Sequence, residues 1–177
     1  VVVSGRVRIY TLSPEGHELS VAFCDRGDFF GEMALLSGEP RSASAEAMEP
    51  TEVLVLHRQV FHSHLLSSPS TAVHVIETLS QRLRRTTESA EELMSLNVPQ
   101  RVARKLWELA ERYGVEQAGG VLIDMDLSQE AIASLAGTTR ESANRALSRL
   151  REQGVVDVER VRIRVLDPAK LQELSMF

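Results

Sequence analysis

The chain has 177 residues, 43% of them hydrophobic and 25% charged, with a formal net charge of −5, a length that holds one or two domains. No apolar run reaches the roughly 18–20 residues of a membrane-spanning helix, so no membrane is expected among its partners. The single cysteine, Cys24, excludes an internal disulfide and every cysteine-built zinc site or iron–sulfur cluster, and fits a reducing cytoplasm.

From Val1 to about Leu56 the pattern is β-rich. "GRVRIYTL" alternates with period two, "SPEG" reads as a turn, "ELSVAF" as a second strand, "DRGD" as a second turn and "TEVLVLHR" as a further strand. Between them, "FFGEMALLSGEPRSASAEAM" is punctuated by Gly and Ser. Short strands at this spacing predict a barrel or jelly-roll-like sheet.

A long helix is expected from about Pro69 to Leu96. Ile76, Leu79, Leu83, Thr86, Ala90 and Leu93 follow gaps of alternately three and four, the seam of a coiled coil. Either the helix packs on its own domain or this seam faces a second copy, and the sustained spacing favours the dimer. Thr86 and Thr87 are middling helix formers because their branched β-carbons stiffen χ1, so their place mid-helix needs a reason. "SLNVPQ" ends the helix, since Pro99 disfavours helix in the residue before it. A further helix is expected from Pro99 to Tyr113, with Val102, Leu106 and Leu109 on one face, and "EQAGGVLIDM" as a turn and short strand.

The stretch "LSQEAIASLAGTTRESANRALSRLREQGVV" carries the most information. Ser128 suits an N-cap, Ile132 and Leu135 point inward from a short helix, and Gly137 supplies a tight turn. Thr138 or Thr139 caps a second helix that buries Ala143, Leu147 and Leu150 and that Gly154 ends. Its other face shows Arg140, Glu141, Asn144, Arg145 and Ser148, with Thr139 at its start. This is the pattern of a helix-turn-helix. Arg can donate two bonds to guanine and Glu can accept from cytosine N4. "VVDVERVRIRVLD" then reads as a hairpin, with Arg162 and Arg164 on one strand face, either touching phosphate as a wing or merely exposed.

Charge distribution agrees. Residues 1–97 hold 8 basic and 13 acidic side chains, residues 98–177 hold 12 of each, and residues 137–164 hold 7 arginines against 4 acids. A globally acidic chain can still present one basic surface to double-stranded DNA.

In this order, these residues resemble the cyclic-AMP receptor protein and fumarate–nitrate regulator family of bacterial transcription factors, and lie closest to its cyclic-AMP-responsive branch. The resemblance implies an α+β fold. A partial N-terminal β-roll (residues 1–68) would lead into a long central dimerisation helix (69–97) and a C-terminal winged helix-turn-helix (98–177). It also implies that about 40 to 50 family positions precede Val1. "FGEMALLSGEPRSASA" resembles the family's phosphate-binding cassette, implying ligand contacts from Gly31, Glu32, Arg41 and Ser42. The chemistry is sound. Arg41 can pair with the single charge of a cyclic phosphodiester, Ser42 can donate to it, Gly31 allows close backbone approach, and Glu32 can accept from a ribose hydroxyl. Thr86 and Thr87 match the family's purine-facing hydroxyl positions, Thr87 reaching the nucleotide of the partner subunit. "RESANR" resembles the start of the recognition helix and implies base contacts from Arg140, Glu141 and Arg145. The chain departs from the family in having Ala143 and Asn144 between them, and Asn144 adds either an adenine or a phosphate contact.

The expected function is therefore a cytoplasmic, homodimeric regulator, binding a pseudo-palindromic DNA site and switched by cyclic AMP, with RNA polymerase as a further partner. The alternative is a regulator that is constitutively active or answers another small ligand. An enzyme is not expected, since no catalytic dyad lies near Glu32 and Arg41. No metal is expected either, because His57, His62, His64 and His74 lack a converging carboxylate or cysteine pattern.

Overall fold

The protein is described here from a computed structural model that covers residues 1–14 and 16–176. It divides into two compact units, Val1–Ser89 and Ala90–Phe177.

In the first unit, β1 (Val2–Ser4) pairs antiparallel with β5 (Glu52–Val53). β2 (Val7–Leu12) lies between β3 (Glu18–Cys24) and β4 (Ser44–Ala47) in a three-stranded antiparallel sheet. The expected turn over "SPEG" includes Glu15, which lies outside the described residues; Ser13 N–H donates to the His17 carbonyl across it. Val7 opposite Cys24 sets the sheet's buried face, and with Val2 they form a small core against Ile9 and Phe30. Arg8 is also buried, and burial alone would lower its pKa. Its bonds to Glu18 at 2.6 Å and Glu46 at 2.7 Å outweigh that and raise it.

Three helices follow the sheet residues or interrupt them. α1 (Glu32–Ser37) starts at Gly31, α2 is Arg58–Ser67 and α3 is Pro69–Ser95. α1 and α2 were not expected. The strand expected over "TEVLVLHR" is corrected to the two residues of β5 plus a bond from Leu54 N–H to the Val1 carbonyl, because His57 already caps α2. Ser95 ends α3 as the sequence pattern predicts. The seam on α3 is mostly uncovered: Ile76, Leu83, Thr86, Ala90 and Leu93 are exposed and Leu79 is half-buried.

The second unit begins in the last turn of α3. α4 (Val98–Tyr113) starts with a capping box, in which Asn97 Oδ1 accepts from Gln100 N–H while the Gln100 side chain accepts from Asn97 N–H. Its apolar stripe, Val102, Leu106 and Leu109, is buried as predicted. β6 (Gly114–Gln117), β7 (Gly120–Ile123), β8 (Val156–Glu159) and β9 (Arg162–Val165) form a sheet in the order β6-β7-β9-β8. Between β7 and β8 lie α5 (Gln129–Leu135) and α6 (Arg140–Glu152), and α7 (Pro168–Leu174), also not expected, closes the unit. Leu106, Ile123, Ile132, Leu147, Ile163 and Leu171 are all buried in this unit. Arg101 on α4 stitches this unit through backbone carbonyls. It donates to Leu96 and Ala136 at 2.8 Å and to Gly137 at 3.3 Å, satisfying the groups left open at the end of α5.

Candidate functional site

Two sites emerge, one in each unit. The first gathers around the start of α1. Gly31 sits at φ 78°, a left-handed conformation that favours glycine, and a Cβ there would lie 2.5 Å from Arg41 Nη1. Arg41 itself donates to the Gly31 carbonyl. Glu32, the next residue, is only 5% exposed. Its Oε1 accepts from Arg82 Nη1 at 2.8 Å, while its Oε2 is buried with no hydrogen-bond partner among the described residues. A carboxylate oxygen in that state costs about 1–3 kcal/mol unless something donates to it.

Arg82 was missed as a site residue because its sequence context reads as a flanking charge on the seam. It joins α3 to α1 by the Glu32 bond, donates to the Phe29 carbonyl, and lies 4.9 Å above the Phe29 ring. Arg82 thus ties Phe29 and Glu32, on either side of Gly31, to the α3 turn that precedes Thr86. Ser42 stays outside this network, with its hydroxyl 3.9 Å from Met33 Sδ. Thr86 and Thr87 are exposed, and each hydroxyl donates to the carbonyl four residues back, Arg82 at 2.9 Å and Leu83 at 3.0 Å. Their protons are therefore committed to the helix, and what they offer outward is a lone pair.

The second site is the outer face of α6. Thr139, not Thr138, caps the helix: its side chain accepts from Ser142 N–H at 3.3 Å. Arg140, Glu141, Asn144, Arg145 and Ser148 are all exposed along one side, while Ala143, Ala146, Leu147 and Leu150 are buried on the other. Arg145 Nη2 donates to Ser142 Oγ at 2.8 Å, which aims its guanidinium along the helix. A bond from its own backbone N–H, then the Thr139 hydroxyl and the charges of Arg140 and Arg145, hold the Glu141 carboxyl below the usual carboxylate range. It is therefore an ionised acceptor at neutral pH.

The hairpin arginines sit differently. Arg162 is held by Asp124 at 3.1 Å and Asp126 at 2.9 Å, and faces Glu159 across the ladder. Arg164 pairs across from Asp157 and donates weakly to the Ala118 carbonyl at 3.5 Å. A phosphate reaching Arg162 would have to compete with two carboxylates. No group of three or more His, Cys, Asp or Glu side chains among the described residues is placed to hold a metal ion. No helix among them is long and apolar enough to cross a membrane.

Comparison with known proteins agrees with this layout. Residues 1–68 match the cyclic nucleotide-binding domain, and residues 100–174 match the Crp-like helix-turn-helix domain. The chain is 31% identical over 171 residues to the CRP-like cAMP-activated global transcriptional regulator of Mycobacterium tuberculosis, an alignment covering 97% of this chain and 76% of that protein. Among solved structures it superposes on a CRP/FNR-family transcriptional regulator of Thermus thermophilus with a TM-score of 0.82 and 27% identity, covering 98% of this chain and 85% of that one. It also superposes on the c-di-GMP responsive global regulator CLP of Xanthomonas campestris, with a TM-score of 0.82 and 26% identity over 93% of this chain and 82% of that one.

Proposed function

The chain belongs to the CRP/FNR family of DNA-binding transcription regulators, and on that premise we propose that cyclic AMP is the effector that switches it. The observation that carries this reading is the buried Glu32, one oxygen paired with Arg82 and the other unmet, beside the left-handed Gly31 and the Arg41 guanidinium. A cyclic nucleotide supplies what each group lacks. Its phosphodiester takes the charge of Arg41 and the hydroxyl of Ser42, and its ribose hydroxyl donates to Glu32 Oε2. Thr86, with its own proton given to the Arg82 carbonyl, accepts from the adenine amino group. Thr87 is assigned to the nucleotide in the partner subunit.

The uncovered seam of Ile76, Leu83 and Leu93 is the surface we assign to a second copy of the chain. Residues 1–68 form the effector domain, 69–97 the dimerisation helix and 98–177 the DNA-binding domain. Effector bound to Thr86, and to Glu32, which Arg82 ties to α3, biases the conformational equilibrium of α3 and so the activity of the DNA domains. A two-fold dimer reads half-sites on the order of 10 bp apart. RNA polymerase is proposed as the partner downstream of DNA binding, in the cytoplasm.

The second reading, a regulator that answers a different small ligand, draws on the likeness to the c-di-GMP responsive regulator. Calorimetric titration with cyclic AMP, cyclic GMP and c-di-GMP separates the two. Saturable heat with cyclic AMP, and tighter operator binding in its presence, supports the first. Heat with c-di-GMP alone, or with none of the three, sinks it.

A further inference from the structure

One side chain of α5 reaches across to the outer face of α6. Gln129 is half-buried; its Nε2 donates to Asn144 Oδ1 at 3.1 Å, and its Oε1 accepts from Arg140 Nε at 3.4 Å. Together the two bonds determine which atom is which. An arginine Nε only donates, so the Gln129 oxygen must face Arg140 and its amide nitrogen must face Asn144. That nitrogen also only donates. Asn144 therefore turns its oxygen towards α5 and its own NH2 away. A carboxamide without such a partner presents either end with equal ease.

We propose that Gln129 is a positioning residue that determines sequence specificity: through this relay it fixes the carboxamide of Asn144 so that α6 offers a donor, not an acceptor, to the base step that Asn144 faces. The inference rests on α6 being the base-reading helix. A donor there pairs with the O6 and N7 acceptors of guanine, N7 of adenine or O4 of thymine, and it rejects cytosine, whose N4 amino group donates. Among the described residues the relay holds Arg140 by Nε alone, which leaves Nη1 and Nη2 for a guanine edge. Asn144 is thereby a reader with one polarity, and the choice between its two polarities lies on a different helix.

The test uses the full chain with its effector and a panel of operators carrying every single-base substitution in one half-site. Asn144→Ala should flatten the preference at one step, by about fivefold for a single donor contact. Gln129→Glu replaces the donor with a carboxylate that accepts from Asn144 Nδ2, turning Oδ1 outward. At the same step, the bases that donate, cytosine through N4 and adenine through N6, should then gain on guanine and thymine, again by about fivefold. The added negative charge weakens every operator alike, so the ranking of bases is immune to it, and melting temperatures report folding separately. An unchanged base ranking in Gln129→Glu, with the step still flattened by Asn144→Ala, overturns the relay while leaving α6 as reader. Equal binding of the unmutated protein to all operators overturns the reading of α6 itself.

Discussion

The loop at Gly31 and the outer face of α6 hold their polar groups in opposite ways. At Gly31 the Glu32 carboxylate is buried with one oxygen on Arg82 and the other unmet among the described residues, and the neighbouring Arg41 is occupied by a backbone carbonyl. On α6 every side chain assigned to base reading is exposed, and bonds among them and their neighbours are already made: Thr139 to Ser142, Arg145 to Ser142, Gln129 to Asn144. The supports differ too. The elements around α6 bury many large apolar side chains, Leu106, Ile123, Ile132 and Leu147 among them, whereas among the described residues the β2–β3–β4 sheet buries Val7, Arg8, Phe23 and Cys24. An unmet buried group stores free energy that a ligand releases, so the first site is built to respond. A prearranged exposed face loses little order on binding, so the second is built to discriminate.

Arg41→Leu should break the contrast most severely. Removing the cation from the Gly31 site should weaken cyclic AMP binding on the order of 100-fold, with basal DNA affinity unchanged, in paired calorimetry and gel-shift titrations. Retained nucleotide affinity would remove Arg41 from the site. Arg145→Ala strikes the other side: about tenfold of discrimination between operator and random DNA should vanish while the nucleotide heat stays the same. If both mutants lost nucleotide and operator binding together, the two sites would not be separate devices.

Smaller effects sharpen the picture. Thr86→Val keeps the shape but deletes the lone pair offered outward, and should cost about fivefold in affinity for cyclic AMP but little for an inosine analogue lacking the amino group. Equal loss for both ligands would disconnect Thr86 from the purine. Arg162→Ala should change least. Because Asp124 and Asp126 already neutralise it, the slope of log K against log salt should fall by clearly less than the roughly 0.9 expected per phosphate contact. A full unit would show that DNA displaces both aspartates.

The α+β architecture, the long helix and the helix-turn-helix were legible because each rests on sustained periodicity. α3 spans 27 residues and α4 16, long enough for an apolar pattern to declare itself. α1 and α7, at six and seven residues, complete barely two turns each and show no such pattern. α2 was hidden because "TEVLVLHR" extends an apolar run up to its cap. At the candidate effector site, Gly31, Glu32 and Arg41 can be nominated from residue type and order. Arg82, which lies 50 residues from the carboxylate it holds, was not.

Local order along the chain thus determined what the elements are and which side chains each face carries, since helix and strand periods are properties of neighbours in sequence. Tertiary structure alone decided how those side chains are committed. It left Glu32 with one oxygen open among the described residues, set two aspartates on Arg162, and pointed Asn144 through Gln129. The reason is that a hydrogen bond's direction depends on which donor and acceptor meet in space, and most of these pairs lie 11 to 50 residues apart.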